Sequence, residues 1–300
     1  MKGKKERKKI KLPLVPIAVA FIFIIGAGVF LYPTVSNYLA QKNSTRISDE
    51  YVIATSQLDD ETAAREKQKA TLYNKALAGG PVGDPFGEES NVALPANYQD
   101  VLNINGTMCT LEIPKIYVKL PVYHGTSSDV LDVAVGHIRQ TAVPIGGLGN
   151  HTVLTGHTGF STAKLFNDLV KLHTGDVFMI RVLKDTLYYE VDNISVIEPE
   201  ELSKLQPVQD KDYVTLVTCT PYGVNSHRLL VRGVRVEKSA EDVAEIMAGA
   251  KRTLFEFILE YKEIFIVILL LIILIIAFIV YRLKKAAKSP PPTVSNHQVR

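Results

Sequence analysis

The sequence of 300 residues predicts a mainly β domain, a closed barrel or a sandwich of about eight short strands, held between two transmembrane helices. Two observations predict this fold. From residue 108 to residue 238, short runs of β-branched and aromatic residues alternate with glycine and proline turns. On either side, residues 12–32 and 264–281 form uncharged apolar stretches, each long enough to cross about 30 Å of hydrocarbon as a helix.

Seven runs in the central region have the composition of strands. They occupy residues 110–113, 120–123, 152–154, 177–180, 187–191, 214–217 and 229–231. Pairs such as Gly146-Gly147 and Gly175-Asp176 separate these runs and are typical of turns. Seven or eight short strands in a region of this length favour a closed barrel or a sandwich with only a few short helices.

A helical segment and a loop precede the strands. Residues 48–78 are rich in Ala, Glu, Lys, Gln and Asp and contain no Pro or Gly, which predicts helix with a break near Asp59-Asp60. Gly79-Gly80-Pro81 ends this helix, and residues 81–95 carry three prolines and few apolar side chains. We therefore expect an N-terminal helical extension followed by a loop.

The charge distribution orients the chain in a membrane. The formal net charge is +3, but residues 1–11 carry +6 and residues 282–300 carry +5, so the chain between them is acidic. The positive-inside rule then predicts both termini in the cytoplasm and residues 33–263 outside. An acidic body argues against nucleic acid as a partner. A cleaved signal peptide, with a weak cleavage site at residues 38–40, remains the alternative to a retained first span.

Cys219 is the candidate nucleophile. It lies where the β-branched run 214–217 meets a Pro/Gly turn, a position from which a rigid scaffold can present a thiol. Arg228 begins the next run, so a hairpin return would bring its guanidinium near that thiol. His157, between Gly156 and Gly159 at the end of another run, is the candidate histidine. The alternative for a lone cysteine is a buried small hydrophobe.

The second cysteine, Cys109, has no Arg or His beside it in the sequence and is interpreted as a bystander. Two cysteines exclude a dense disulfide framework and a zinc site made of cysteines alone. A disulfide between Cys109 and Cys219 is possible outside the cell but would remove the nucleophile. The even spacing of His151 and His157 would place both side chains on one face of a strand. No HExxH motif or carboxylate cluster accompanies them, so no metal and no cofactor is predicted.

At these residues the chain resembles the sortases. Residues 215–219, Thr-Leu-Val-Thr-Cys, match the sortase TLxTC motif, and His157 and Arg228 match the catalytic histidine and the essential arginine of the family. The similarity is greatest to class C, the pilus-assembling sortases of Gram-positive bacteria. Segments 113–116, 123–126, 136–137, 154–157 and 219–231 carry it, and Asp84-Pro85-Phe86 resembles the lid motif of that class.

The resemblance implies a sortase-type β-barrel and a cysteine transpeptidase activity. Cys219 would attack the Thr–Gly bond of an LPxTG-like sorting signal, and a lysine amine of a pilin subunit would resolve the thioacyl-enzyme. His157 would act as imidazolium and general acid, and Arg228 would hold substrate and stabilise the oxyanion. For the lid, we expect Asp84 to pair with Arg228 while Phe86 covers Cys219. The implied partners are pilin subunits and the cytoplasmic membrane.

Together these features predict an organisation and a location. The segments are a cytoplasmic N-terminus (1–11), a transmembrane helix (12–32), a helical extension (33–80), a lid loop (81–95), a catalytic barrel (96–238), a linker or helix (239–263), a transmembrane helix (264–281) and a cytoplasmic tail (282–300). The catalytic domain would lie outside the cell on a two-span membrane protein. Two alternatives stay open: a housekeeping-type sortase that anchors proteins to cell-wall peptide, and a membrane-tethered scaffold without catalysis.

Overall fold

A computed structural model describes most of the chain as two compact units. The described residues are 14–77, 86, 97–159, 163–249, 258–259 and 261–287. One unit comprises residues 1–34 and 253–300, and the other comprises residues 35–252. The predicted lid residues Asp84 and Pro85 lie outside the described part of the chain.

Five α-helices are described, and the two long N-terminal ones follow each other closely. The helices are α1 (Leu14–Ser56), α2 (Asp60–Leu77), α3 (Ser128–Leu131), α4 (Ala240–Gly249) and α5 (Lys262–Ala287). The predicted break at Asp59-Asp60 is present between α1 and α2. There the Asp59 carboxylate accepts a hydrogen bond from the backbone N–H of Thr62 (2.7 Å), which caps the N-terminus of α2.

One helix segment of the described residues, Phe21–Ser56, is long and apolar enough to cross a membrane. It lies within α1, and its length and composition agree with a membrane anchor near the N-terminus. The predicted second span, residues 264–281, falls within α5 and remains a prediction.

Eight strands close into a barrel, which confirms the predicted closed barrel of about eight strands. They are β1 (Cys109–Ile113), β2 (Val118–His124), β3 (Val135–His137), β4 (His151–Thr155), β5 (Val177–Val182), β6 (Asp185–Ile197), β7 (Tyr213–Thr220) and β8 (His227–Val236). Their spatial order is β1-β2-β3-β4-β7-β8-β6-β5, closed on itself. The pairs β2–β3 and β4–β7 are parallel, and the others are antiparallel.

The seven predicted runs each fall within a strand, but β3 was not among them. With three residues, β3 is too short to show an alternation of polar and apolar side chains. β6 is longer than its predicted run and reaches 13 residues, with an irregularity in pairing between Val191 and Asn193. Such a bulge bends a strand and lets it cover more of a barrel wall.

The C-terminal part of α1 packs against the barrel through a buried tyrosine. The Tyr51 hydroxyl donates to the carbonyl oxygen of Met108 (2.9 Å) and accepts a bond from the backbone N–H of Leu183 (3.0 Å). In α2, the Tyr73 hydroxyl donates to the carbonyl oxygen of Arg139 (2.9 Å). These bonds satisfy polar groups beside the apolar core and fix the helices on the barrel wall.

Alternation along the strands decides which side chains point out of the barrel. Leu216 of β7 belongs to the interior core, so Val217 and Cys219, which are an odd number of residues away, lie on the outer face. In β8 the interior residues Leu229 and Val231 leave Arg228 and Leu230 outside in the same way. We call this surface the outer face of β4, β7 and β8.

Candidate active site

The ends of β4 and β7 are joined just before the candidate residues. The Thr218 hydroxyl donates to the carbonyl oxygen of Gly156 (2.7 Å), and the backbone N–H of Gly156 donates to the carbonyl oxygen of Val217 (3.2 Å). The β-branched run of β7 favours an extended backbone up to this point. These bonds therefore hold the end of β4 beside the end of β7, where Cys219 stands.

Cys219 and Arg228 are direct cross-strand partners in the β7–β8 ladder. Both side chains are nearly buried, at 9% and 8% exposed, and the Cys219 thiol is free of any disulfide. The Arg228 Nη1 donates to the carbonyl oxygens of Asn225 (3.1 Å) and His227 (3.3 Å). These carbonyls hold the guanidinium over the strand end, next to the position of the thiol.

His157 follows β4 by two residues. The β4–β7 register pairs Thr155 with Val217, so its continuation by two residues brings His157 level with Cys219. The structure thus brings His157, Cys219 and Arg228 together at one end of the outer face.

The glycine before His157 leaves room for an aromatic ring. A Cβ added to Gly156 would lie 3.1 Å from ring carbons of Phe166, so this glycine admits a neighbouring side chain rather than a ligand. The backbone N–H of Phe166 also donates to the carbonyl oxygen of His157 (3.1 Å). Phe166 therefore supports the backbone that carries the histidine.

Phe86 lies against two of the three candidate residues. Its ring stacks on the His157 imidazole with centroids 5.6 Å apart and an interplanar angle of 27°. The Arg228 Cζ lies 5.1 Å from the centroid of the same ring, which is a cation–π distance. An apolar ring at this position restricts the access of solvent to both side chains.

Below Phe86 lies a buried apolar patch that we call the outer apolar cluster. Its members are Ile138, Val153, Ile197, Leu205, Val217 and Leu230. Phe86 and Leu202 pack against it from outside. Because Val217 is two residues before Cys219 on the same strand face, the cluster extends from the thiol along the outer face.

Burial lowers the pKa of the His157 imidazole, and the nearby Asp132 carboxylate acts in the opposite direction. The Asp132 Oδ1 lies 3.9 Å from the His157 Nε2, just after α3. Sequence reasoning missed Asp132, because it is 25 positions from His157 and no motif joins them. Only the antiparallel pairing of β3 with β4, and the position of α3 just before β3, bring the two together.

Replacing Asp132 by asparagine should lower the pKa of His157 further, because the change removes a negative charge that favours the imidazolium. An NMR titration of the His157 ring in the full-length protein would measure it. Asp129→Asn, in α3 itself, is the matched control and should leave the titration in place. An unchanged or raised His157 pKa in Asp132→Asn would contradict this account.

Cys109 lies inside the barrel and is fully buried. Burial raises the pKa of its thiol, which keeps it protonated and unreactive. Neither cysteine is in a disulfide, so the possible Cys109–Cys219 bond is not formed. The alternation of β1 places Cys109 in the interior core, whereas Cys219 belongs to the outer face.

His151 does not face a metal site in the described part of the chain, where no three His, Cys, Asp or Glu side chains form a metal-binding group. Instead its Nε2 lies 2.7 Å from the Thr215 hydroxyl, and its Nδ1 lies 3.1 Å from the carbonyl oxygen of Gln206. Burial lowers the pKa of His151 to about 4, so the ring is neutral at pH 7. His151 therefore joins β4 to β7 and to the segment after β6.

Comparison with known proteins agrees with this arrangement. Residues 111–236 match the sortase domain family. Sortase A of Bacillus anthracis is 26% identical over 227 residues, which cover 75% of this chain and 96% of that protein.

Solved structures of class C sortases are more similar in sequence. Sortase C-1 from Actinomyces oris is 48% identical with a TM-score of 0.57, over 59% of this chain and 99% of that one. Sortase C-1 from Streptococcus pneumoniae is 42% identical with a TM-score of 0.60, over 65% and 98%. The pilus-related sortase C of Group B Streptococcus is 38% identical with a TM-score of 0.59, over 63% and 97%. The chain therefore belongs to the sortase family of cysteine transpeptidases and, within it, to the class C sortases.

Proposed function

We propose that this sortase polymerises pilin subunits. It would cleave an LPxTG-like sorting signal between Thr and Gly and transfer the acyl group to a lysine amine of the next pilin. The observation that carries the proposal is the cross-strand pair of Cys219 and Arg228, with His157 level with them on the outer face. The similarity to solved class C sortases, one of them described as pilus-related, supports the choice of pilin as substrate.

Cys219 is the nucleophile of the proposed reaction. Its Sγ, as thiolate, attacks the threonine carbonyl carbon, and the C–S bond forms as the C–N bond to glycine breaks. His157, as imidazolium, gives its proton to the departing glycine amine. An ordinary thiol, with a pKa of about 8.5, is only about 3% thiolate at pH 7, so a neighbouring cation is needed for reactivity.

In the second half of the reaction, neutral His157 takes a proton from the incoming lysine amine. The amine nitrogen attacks the thioester carbon, the new C–N bond forms, and Cys219 leaves as thiolate. The product is an isopeptide bond between two pilin subunits. Transfer to an amine instead of water requires a shielded thioester, and the apolar surroundings of Cys219 supply shielding.

Arg228 binds the oxyanion in this proposal. A guanidinium does not lose its proton at working pH, so it is a poor general base and a good donor of hydrogen bonds. Its Nη1 bonds to the Asn225 and His227 carbonyls restrict its rotation before substrate arrives. A donor that is already oriented stabilises the developing negative charge without further reorganisation.

The outer apolar cluster is the proposed contact surface for the Leu and Pro of the sorting signal. It begins beside Cys219 and consists of aliphatic side chains only. Burial of an aliphatic side chain is worth about 1.5–3 kcal/mol, so two such residues contribute much of the binding energy of a short peptide. Phe86 packs on the same cluster and would have to leave before the peptide binds.

Phe86 is therefore proposed to belong to an autoinhibitory lid, residues 81–95. Its stacking on His157 and its contact with Arg228 support this role. The burial that lowers the pKa of His157 also disfavours the imidazolium in the covered site. Pairing of Asp84 with Arg228 remains a proposal that a variant can test.

Replacing Phe86 by alanine should speed labelling of Cys219 by a charged methanethiosulfonate by about tenfold or more. The change removes about 1.5–3 kcal/mol of apolar burial that favours the covered state. Asp84→Ala added to this variant tests the ion pair. Tyr222→Ala, an exposed aromatic in the β7–β8 loop, is the control and should leave the rate unchanged. Equal labelling of Phe86→Ala and the parent protein would argue against occlusion.

The membrane topology is part of the proposal. Residues 12–32 and 264–281 would span the membrane, with the basic ends 1–11 and 282–300 in the cytoplasm. The helical extension (33–80), the barrel (96–238) and the linker (239–263) would then lie outside. An apolar α1 near the N-terminus supports the first span, and the uncharged stretch 264–281 within α5 supports the second.

The experiment that tests the function uses the full-length protein in detergent with an LPxTG peptide, a candidate pilin and the Cys219→Ala variant. Polymer ladders that depend on Cys219 are the expected result. Transfer only to small wall-like amines would instead favour a housekeeping-type sortase. The absence of a thioacyl adduct, even in Phe86→Ala, would overturn both enzymatic readings and favour a scaffold.

A further inference from the structure

A cavity opens at the other end of the outer face, far from Cys219. It has a volume of about 550 Å³ and lies between α2 and the segment 140–151. From α2, Lys67, Thr71 and Lys75 line it, and these residues are spaced by four, so they share one face of the helix. The opposite wall includes His151, at the start of β4. We call this cavity the α2 cleft.

The α2 cleft is continuous with the outer apolar cluster. Leu205 belongs to the cluster and also lines the cleft, so one side chain joins the two surfaces. The β4–β7 ladder gives the distance between the α2 cleft and Cys219. His151 is paired with Tyr213, which is six residues before Cys219, and six residues of strand extend about 20 Å.

The charge of the α2 cleft is positive. Two lysines are among its lining residues, and none of the described lining residues is acidic. The Lys67 Nζ lies 2.5 Å from the Asp185 carboxylate in an exposed pair. Lys75 lies eight residues further along the same face of α2. His151 adds no charge at pH 7 because burial lowers its pKa to about 4.

We propose that the α2 cleft binds the part of the substrate polypeptide that precedes the sorting signal, and that Lys67 and Lys75 favour acidic side chains there. The inference rests on the proposed function and extends it to the choice of substrate. Its chemical class is an extended, acidic peptide segment, continuous with the signal that reacts at Cys219.

Chain length supports this placement. The four residues of the signal that stay attached to Cys219 extend about 13 Å, which covers the outer apolar cluster. The next few residues toward the N-terminus of the substrate then reach the start of the cleft, about 20 Å from the thiol. After the glycine side has left, only this preceding chain remains on the enzyme, so its contacts persist while the lysine attacks.

The test uses three peptides with the same LPxTG signal, preceded by four Glu, four Gln or four Lys residues. The full-length enzyme in detergent, with Phe86→Ala to admit peptides, is compared with the same protein carrying Lys67→Glu and Lys75→Glu. Lys69→Glu, on the same helix but outside the cleft lining, is the matched control. Mass spectrometry of the Cys219 thioacyl adduct gives the rate at each peptide concentration.

At low salt, the half-saturating concentration of the Glu peptide for acylation of the parent enzyme should be about 3- to 10-fold lower than that of the Gln peptide. The maximal acylation rate should be the same for both peptides. Added salt at about 0.5 M should remove this preference, because exposed charges are screened. The double variant should prefer the Lys peptide, and Lys69→Glu should behave as the parent. Lys75→Glu alone keeps the Lys67–Asp185 pair and should give a smaller shift in the same direction.

Two failures are distinguishable. Equal half-saturating concentrations of all three peptides for acylation of Cys219 would overturn the cleft proposal and leave the transpeptidase proposal intact. The same conclusion would follow if the double variant still preferred the Glu peptide. Failure of every peptide to acylate Cys219 would overturn the proposed function, and with it the inference that rests on it.

Discussion

Replacing Cys219 by alanine should abolish both the thioacyl adduct and the formation of polymers. The change removes the thiol on the outer face at the end of β7, beside Arg228. Loss of a nucleophile in a covalent mechanism costs more than about 10⁴-fold, because the first bond-forming step has no substitute. Mass spectrometry of enzyme mixed with an LPxTG peptide measures the adduct directly, and gel electrophoresis with a pilin measures the polymer.

Cys109→Ala is the matched control for this prediction. Cys109 is fully buried in the barrel core, and burial raises the pKa of its thiol, so it stays protonated at working pH. The variant should keep the parent rate per folded molecule and lose about 1 kcal/mol of stability to a small cavity. Loss of the adduct in Cys109→Ala with retention in Cys219→Ala would reverse the assignment of the nucleophile.

Replacing Arg228 by lysine should lower kcat by about 10²- to 10³-fold while the protein stays folded and Cys219 is still labelled by thiol reagents. Removal of one oxyanion donor has an effect of this size in related chemistry. Arg228 has a planar fork of donors, so it can donate to the Asn225 and His227 carbonyls and still present further donors to the substrate. A lysine ammonium lacks this fork. Steady-state and single-turnover rates of acylation would measure it.

Arg232→Lys is the control on the same face of β8. Arg232 is held by the Asp192 carboxylate at 3.0 and 2.8 Å and lies over the Tyr213 ring, four residues from Arg228. Its replacement should change kcat by less than about threefold, because an ion pair at the surface contributes little. Equal losses in both variants would indicate that β8 is merely destabilised, and would contradict a specific role for Arg228.

Much of the fold was predictable from local sequence. Runs of β-branched and aromatic residues marked seven of the eight strands, because such side chains pack well on a pleated sheet. β3, with three residues, has too little sequence to carry it. The break between α1 and α2 was also visible, since Asp59 caps the following helix through its carboxylate.

The candidate site was predictable where its residues share a short segment. Cys219 and Arg228 lie nine positions apart across one turn, and such a return makes them neighbours in a ladder. Asp132 and Phe86 are far from His157 in the chain and meet it only through packing. Neither contact leaves a periodic signal in the sequence, because a single long-range contact imposes no spacing on its neighbours.

The sequence by itself determined the alternation that separates core from outer face, the apolar span near the N-terminus, and the thiol beside a cationic side chain. These are local properties, set by the two-residue period of strands and by the cost of placing charge in hydrocarbon. Only the tertiary structure decided that Cys109 turns into the core, that Phe86 lies on His157, and that Lys67 and Lys75 face a cleft continuous with the outer apolar cluster. These contacts depend on closure of the barrel, because closure determines which distant segments of the chain become neighbours.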